Sequence, residues 1–179
     1  KRDVSLIRGE CVPLTKRLIT QETAQKWGYQ VGEDRSGSPV QIAPYYNRDG
    51  ELIAQKLRYP NKDFKFIGNP KEATLFGMNL WAPGGKKVVI TEGEIDALSV
   101  SQLQGNKWPV VSVPNGAQGA RKSIEKCIDW LDSFDQVVLM FDMDEPGREA
   151  AVECATLFRP GKARLAELPL KDTNECLMK

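Results

Sequence analysis

Val88-Val89-Ile90-Thr91-Glu92-Gly93-Glu94-Ile95-Asp96 and, some fifty residues further on, Val137-Val138-Leu139-Met140-Phe141-Asp142-Met143-Asp144-Glu145-Pro146-Gly147 are built alike: an apolar run that ends abruptly in carboxylates. Each run is too short for a buried helix and rich in β-branched residues, so each reads as a strand buried on both faces. Working outward, Val110-Val111-Ser112-Val113 and residues 163–168 read as two more strands. Helical stretches fall between them at about 94–104, 119–132 and 146–158. Continuously apolar strands alternating with helices indicate a parallel sheet covered on both sides, with right-handed crossovers. The fold class expected from this alternation is α/β.

The first half reads differently. Thr20 to Gly28 is a short helical stretch ended by glycine, and Val40–Tyr46 and Glu51–Tyr59 are strands joined by the turn Asn47-Arg48-Asp49-Gly50. The expectation is a small α+β lobe built on a hairpin. Ala82-Pro83-Gly84-Gly85 is the expected hinge, dividing the chain into a lobe at 1–85 and a parallel-sheet lobe at 86–179. Charge divides in nearly the same place: residues 1–87 hold 15 Lys/Arg against 9 Asp/Glu, residues 88–179 hold 10 against 15, and the net charge of +1 hides the asymmetry. A basic half joined to an acidic half suits a protein that grips a polyanion with one part and carries divalent metal with the other. Unevenly distributed solvated charge would look the same.

In a parallel sheet all strands end along one edge, where open α/β folds bind their ligands. Glu92, Asp142 and Asp144 therefore converge although distant in sequence, Asp142 and Asp144 lying two apart on one side of an extended segment and Gly93 allowing a tight turn behind Glu92. Acids this close raise one another's pKa unless a cation neutralises them. Magnesium does so with one or two carboxylates, substrate phosphates and water, which points to metal-assisted phosphoryl or nucleotidyl transfer. Glu94, Asp96 and Glu145 need no more than a helix-dipole role. Asp172, after the fourth strand, is either a further edge carboxylate or a helix cap.

The loop Pro114-Asn115-Gly116-Ala117-Gln118-Gly119-Ala120-Arg121-Lys122 opens a helix at the same edge, a place for a phosphate or an ordinary connection. It lacks Walker A spacing. Lys56, Arg58, Lys62 and Lys65 are interleaved with Tyr59, Phe64 and Phe66, the mixture found where a phosphodiester chain is held and bases stack; a solvated strand with core aromatics has the same pattern.

Histidine is absent from the 179 residues, which removes Ser-His-Asp and Cys-His sites and every His-containing zinc site. The four cysteines stand 116, 27 and 22 positions apart without a paired C-x-x-C, arguing against a structural zinc and for a reducing compartment. No apolar run approaches the ~20 residues needed to span a bilayer. The chain starts at Lys1 without methionine and stops at Lys179 inside a helical stretch, as expected of an excerpt from something longer.

Glu92-Gly93-Glu94-Ile95-Asp96 together with Phe141-Asp142-Met143-Asp144-Glu145-Pro146-Gly147 resembles the TOPRIM fold of primases, topoisomerases and some nucleases. Over nearly the whole chain the sequence looks like the primase domain of T-odd-type bacteriophage primase-helicases, relatives of Twinkle. The resemblance is carried by Leu14-Thr15, Arg17, Glu22-Thr23, Gln25-Lys26, Gly28-Tyr29, Gln55-Lys56, Arg58, Lys62, Phe64-Lys65, Leu75-Phe76-Gly77, Asn115-Gly116-Ala117, Lys171-Asp172 and Asn174-Glu175-Cys176.

The resemblance implies synthesis of short RNA primers from ribonucleoside triphosphates on a single-stranded DNA template, in the cytoplasm of an infected bacterium. It implies that Glu92 assists catalysis, that Glu92, Asp142, Asp144 and Asp172 hold two magnesium ions, with manganese as a substitute, and that Arg17, Lys56, Arg58, Lys62, Lys65 and Lys122 hold nucleotide and template. Its implied partners are a zinc-ribbon domain, an ATP-driven helicase ring and a replicative DNA polymerase, with no membrane. The alternatives are a TOPRIM nuclease or strand-passing enzyme and a non-catalytic nucleic-acid-binding module. A D-x-D phosphatase is disfavoured because Pro146 stands where that motif wants Thr or Val.

Overall fold

The computed structural model describes residues 6–179; the first five residues of the basic lobe lie outside the described part. Two four-stranded sheets organise it. The first is an antiparallel meander of β1 (Gln30–Glu33), β2 (Pro39–Tyr46), β3 (Leu52–Arg58) and β4 (Phe64–Gly68), preceded by α1 (Gln21–Trp27). Thr20 caps α1 by accepting a hydrogen bond from the Thr23 backbone N–H at 3.2 Å, and Gly28, at φ 66°, ends it in the left-handed conformation that glycine adopts without strain. The hairpin read from the sequence is β2–β3. Strands β1 and β4 were not anticipated: β1 is four residues long, and the alternation in Phe64-Lys65-Phe66 reads equally well as a binding surface.

The second sheet is parallel, in the order β6-β5-β7-β8, with β5 at Gly85–Thr91, β6 at Val110–Ser112, β7 at Phe134–Met140 and β8 at Ala163–Leu165. Its helices are α2 (Glu94–Leu103), α3 (Gly116–Lys126), α4 (Ile128–Asp132), α5 (Glu145–Ala155) and α6 (Thr173–Met178). The α/β class expected from the alternation holds. The stretch expected as one helix at 119–132 is two, because Cys127 leaves helical geometry (φ −113°, ψ 19°) while its side chain stays buried beside Trp130 and Leu131. The last strand is shorter than 163–168 because its pairing with β7 stops at Leu165.

Strand periodicity explains where the cores lie. Val88 and Ile90 of β5 face one way, packing with Val111, Val137, Leu139 and the helices α3 and α5. Val89, with Val110 of β6, faces the other way, into a second cluster that holds Leu98 of α2 and runs on into the basic lobe through Trp27, Tyr45 and Phe76. The two sheets are thus joined by shared apolar packing. Phe76 completes the joint: its backbone exchanges two hydrogen bonds with Ser112 of β6 (3.0 and 3.1 Å), and its ring stacks on Trp27 with centroids 5.1 Å apart. Gly77 follows at φ 84°, where any side chain would collide with the Trp27 ring. Among the described residues no helix is long and apolar enough to cross a membrane.

Candidate nucleotidyl-transfer site

The carboxyl ends of β5 and β7 lie side by side, Thr91 paired with Met140, so the residues that follow them meet. The Asp142 backbone N–H donates to Glu92 Oε1 at 3.3 Å. Asp144 caps α5, its Oδ1 accepting from the Gly147 N–H at 2.8 Å, and Asp172 caps α6, accepting from the Glu175 N–H at 2.9 Å. The loop before α6 is fastened across the edge by the Met143 N–H on the Lys171 carbonyl at 2.7 Å. As a result Glu92, Asp96, Asp142 and Asp172 line one pocket of about 210 Å³, with Arg17 and Arg58 on its wall. Asp172 both caps a helix and faces the pocket.

One glycine acts differently from the sequence reading, and another has a part the sequence did not reveal. Gly93 is extended (φ −134°, ψ 160°), a conformation open to any residue, so the turn behind Glu92 does not require it. Gly147 is the constrained position: a Cβ there would run into the Asp142 carbonyl and stand 2.9 Å from both Asp144 Oδ1 and Glu92 Oε1. The acids close on this glycine.

Burial and mutual repulsion set the charges. Desolvation, followed by the Asp172 charge, pushes Asp96 up to about 7 against a donated hydrogen bond from the Asn174 N–H. Desolvation and then the charges of Glu92, Asp96, Asp172 and Asp144 push Asp142 up to about 8. Glu92 is raised by burial and by Asp144, opposed by its hydrogen bond from Asp142. Such an array of hard oxygen donors, short of compensating cations, suits a divalent metal. Among the described residues no three acids form a ready-made metal cage.

Asp96 and Glu94, assigned above to the helix dipole alone, have larger parts. Glu94 is almost fully buried; it accepts a 2.5 Å hydrogen bond from the Tyr45 hydroxyl and pairs with Lys56 Nζ at 3.1 Å. Lys56 Nζ also donates to the Pro114 carbonyl at 2.8 Å and sits 4.3 Å from the centroid of the Phe64 ring. Asn174, 1% exposed, ties the site to the basic lobe: its backbone N–H donates to Asp96, its side-chain amide to the Arg17 carbonyl (3.0 Å) and Ser99 Oγ (3.1 Å), and its Oδ1 accepts from Arg17 Nη1 (3.3 Å). The spacing of Glu94 and Asp96 from Glu92 marks the first turn of α2, but nothing in it says which side of that turn is buried.

The basic residues do not all gather. Arg17, Arg58 and Lys62 line a cleft of about 540 Å³ that continues from the acidic pocket, sharing Arg17, Arg58 and Ile95 with it. Lys62 sits at the β3–β4 turn at φ 74°. The β3–β4 register puts Lys56 opposite Phe66 and Arg58 opposite Phe64 on one face, and Lys65 opposite Leu57 on the other. Lys65 lies against Tyr59, away from the acids. Lys122, on α3, lines a separate pocket.

A parallel sheet with converging edge acids, joined to an antiparallel basic lobe, defines a Toprim-type domain with an N-terminal α+β partner. Comparison with known proteins agrees. Residues 9–68 match the family described as bacteriophage T7 DNA helicase/primase, N-terminal α+β fold, and residues 89–177 match the Toprim-like family. The chain is 46% identical over 168 residues to the DNA helicase/primase of Enterobacteria phage T3, covering 94% of this chain and 29% of that protein. It superposes on the primase fragment of the bacteriophage T7 primase-helicase with a TM-score of 0.89 at 46% identity, covering 95% of this chain and 70% of that one. It also shares the fold of the DnaG catalytic core, TM-score 0.65 at 15% identity, covering 92% of this chain and 66% of that one. The chain belongs to the primase-domain family of T7-type phage helicase/primases.

Proposed function

We propose that this chain is a DNA primase catalytic core that joins ribonucleoside triphosphates into short RNA primers on single-stranded DNA. One observation carries the reading: acids from the ends of β5 and β7, with Asp96 and Asp172, line a pocket that opens through Arg17 and Arg58 into a basic cleft. Arg17 and Arg58 take the triphosphate, and their charge is not committed to an ion pair among the described residues. Glu92, with its carboxylate raised by burial, accepts the proton of the attacking 3′-hydroxyl. Asp142, Asp144 and Asp172, with Glu92, would hold two magnesium ions or manganese in their place, and Asp96 lies in the same pocket; such ions would supply charge neutralisation for the attacking hydroxyl and the leaving pyrophosphate. Lys56, already paired with Glu94, steadies the Pro114 loop beside the acids.

A structure of T7 lagging-strand DNA polymerase with primase domains bound to an RNA/DNA hybrid, which this chain matches at 46% identity and TM-score 0.88, supports a nucleic-acid substrate and a polymerase partner. A zinc-ribbon domain for template selection, a helicase ring and a site of action in the infected bacterial cytoplasm complete the proposal. The test is magnesium-dependent dinucleotide synthesis on single-stranded template: Asp142→Asn and Asp144→Asn each lose at least a hundredfold. Retention of full synthesis by either variant, or magnesium-dependent cleavage of the template without nucleotides, overturns the reading.

A further inference from the structure

A second pocket, about 390 Å³, lies between the lobes and shares no lining residue with the acidic pocket or the basic cleft. Its inner wall is aromatic and aliphatic: Tyr45, Phe66 and Leu75. Two exposed cations stand at its rim, Lys71 from the loop after β4 and Lys122 from α3. Neither ammonium has a hydrogen-bond or ion-pair partner among the described residues. Lys126, on the same rim, is by contrast spent on the carbonyls of Lys71 and Ala73 and so holds the loop in place. Asn115, at the N-cap of α3, makes no capping bond and leaves its amide available to the pocket.

Hydrogen bonds tie the lining of this pocket to Glu94, in the first turn of α2. Tyr45 forms part of the pocket while its hydroxyl donates to Glu94, and Lys56 bridges Glu94 to the carbonyl of Pro114, which also lines the pocket. Pro114 and Asn115, the residues that follow β6 at the carboxyl edge of the parallel sheet, both line this pocket. An apolar recess of this size with a few polar groups suits a small organic ring system, and unpaired lysines beside aromatic faces are the elements that hold nucleic-acid strands. The rim lysines supply phosphate contacts without sequence preference.

We propose that this pocket is a nucleoside-phosphate subsite distinct from the catalytic cleft, with the base against Phe66 and Leu75 and the phosphate between Lys71 and Lys122. The inference rests on the primase reading for its biological setting, though the binding it claims needs no metal. The phosphate belongs either to one nucleotide of the bound strand or to a free nucleotide.

Photo-crosslinking separates these sources. The protein is irradiated with a 5-iodouracil-containing single-stranded oligonucleotide or with 8-azidoadenosine triphosphate, in chelator and in the Asp142→Asn background, so that the acidic cleft is silenced. Adducts are mapped by mass spectrometry. Label within residues 64–75 or 115–123 is expected. With the oligonucleotide it assigns the pocket to the strand, and with the azidonucleotide alone it assigns it to a free nucleotide; both outcomes support the subsite.

Lys71→Glu on the exposed rim and Ser123→Trp, which fills the pocket from α3, are each expected to weaken this labelling and the underlying affinity about tenfold. For Lys71→Glu the slope of log affinity against log salt falls by roughly 0.7. Label confined to the Arg17/Arg58 cleft, or label in the pocket that Lys71→Glu leaves undiminished, overturns the proposal. Because the readout is an adduct made without metal, loss of primer synthesis does not affect it, and the two readings fail separately.

Discussion

Lys56→Met tests whether the Lys56–Glu94 pair is part of the fold or merely a contact at the surface. The two side chains are 11% and 4% exposed, so the pair is buried. Removing the cation leaves the Glu94 carboxylate with only the Tyr45 hydroxyl and strips the Pro114 carbonyl of its donor. Breaking a buried pair from one side costs about 3–5 kcal/mol. Loss of the ammonium over the partly exposed Phe64 ring adds about 0.5–1 kcal/mol. At roughly 2–4 °C per kcal/mol for a domain of this size, thermal melts followed by circular dichroism should fall by roughly 7–24 °C.

The double replacement Lys56→Met with Glu94→Leu removes both charges and should recover most of that loss, since apolar groups of similar volume replace a buried pair with little penalty. Dinucleotide synthesis by the two variants then reports the loss of the Lys56 hold on the Pro114 loop separately from the loss of stability. A single variant that melts within about 2 °C of the parent, or a double variant no more stable than the single, refutes the reasoning.

Three further outcomes follow from the geometry. Gly147→Ala should fold with a penalty of about 1–3 kcal/mol in urea unfolding and lose primer synthesis mainly in kcat, because its methyl group pushes apart Asp142, Asp144 and Glu92; unchanged kcat would show that the acids tolerate the shift. In metal-free protein the acid cluster costs stability as pH rises. Asp96 and Asp142 are raised from an ordinary 3.8 to about 7 and about 8, so between about pH 4 and 8 the folded state holds protons that the unfolded chain has released. Asp96→Asn should therefore melt higher than the parent at pH 8 without metal and lose that advantage near pH 4, and magnesium should raise the parent's melting temperature; a parent stability that depends on pH no differently from the variant's contradicts the assignment. Lys62→Gly relieves a left-handed residue at the β3–β4 turn, with a net gain of up to about 1 kcal/mol after the entropy of glycine, while weakening salt-sensitive binding to single-stranded DNA. A loss of more than about 1 kcal/mol in denaturant unfolding would count against it.

Much of this was legible in the chain itself because short-range rules suffice for it. Apolar runs of β-branched residues ending in acids read as strands whose ends share an edge, and the Asp142 N–H does meet Glu92 there. Thr20 and Gly28 marked the bounds of α1 through local hydrogen bonds and a left-handed φ, both properties of the residues themselves. The alternation of Lys56, Arg58, Phe64 and Phe66 was visible as well, but not that β3 and β4 pair so as to put Lys65 on the opposite face.

What the sequence determined was the class of fold, the edge where chemistry collects, and the donor chemistry of the acids. Tertiary structure alone decided which acids of the first turn of α2 are spent and which are offered. Glu94 is consumed by Lys56 and Tyr45, residues from another sheet, while Asp96 faces the pocket next to Asp172. It also decided that Gly147, not Gly93, is the glycine the site requires, and that Lys122 borders a pocket apart from the acids. Strand and helix follow from neighbours a few residues away. The partner of a buried charge is fixed only when segments distant in the chain pack together and exclude the water that would otherwise have solvated it.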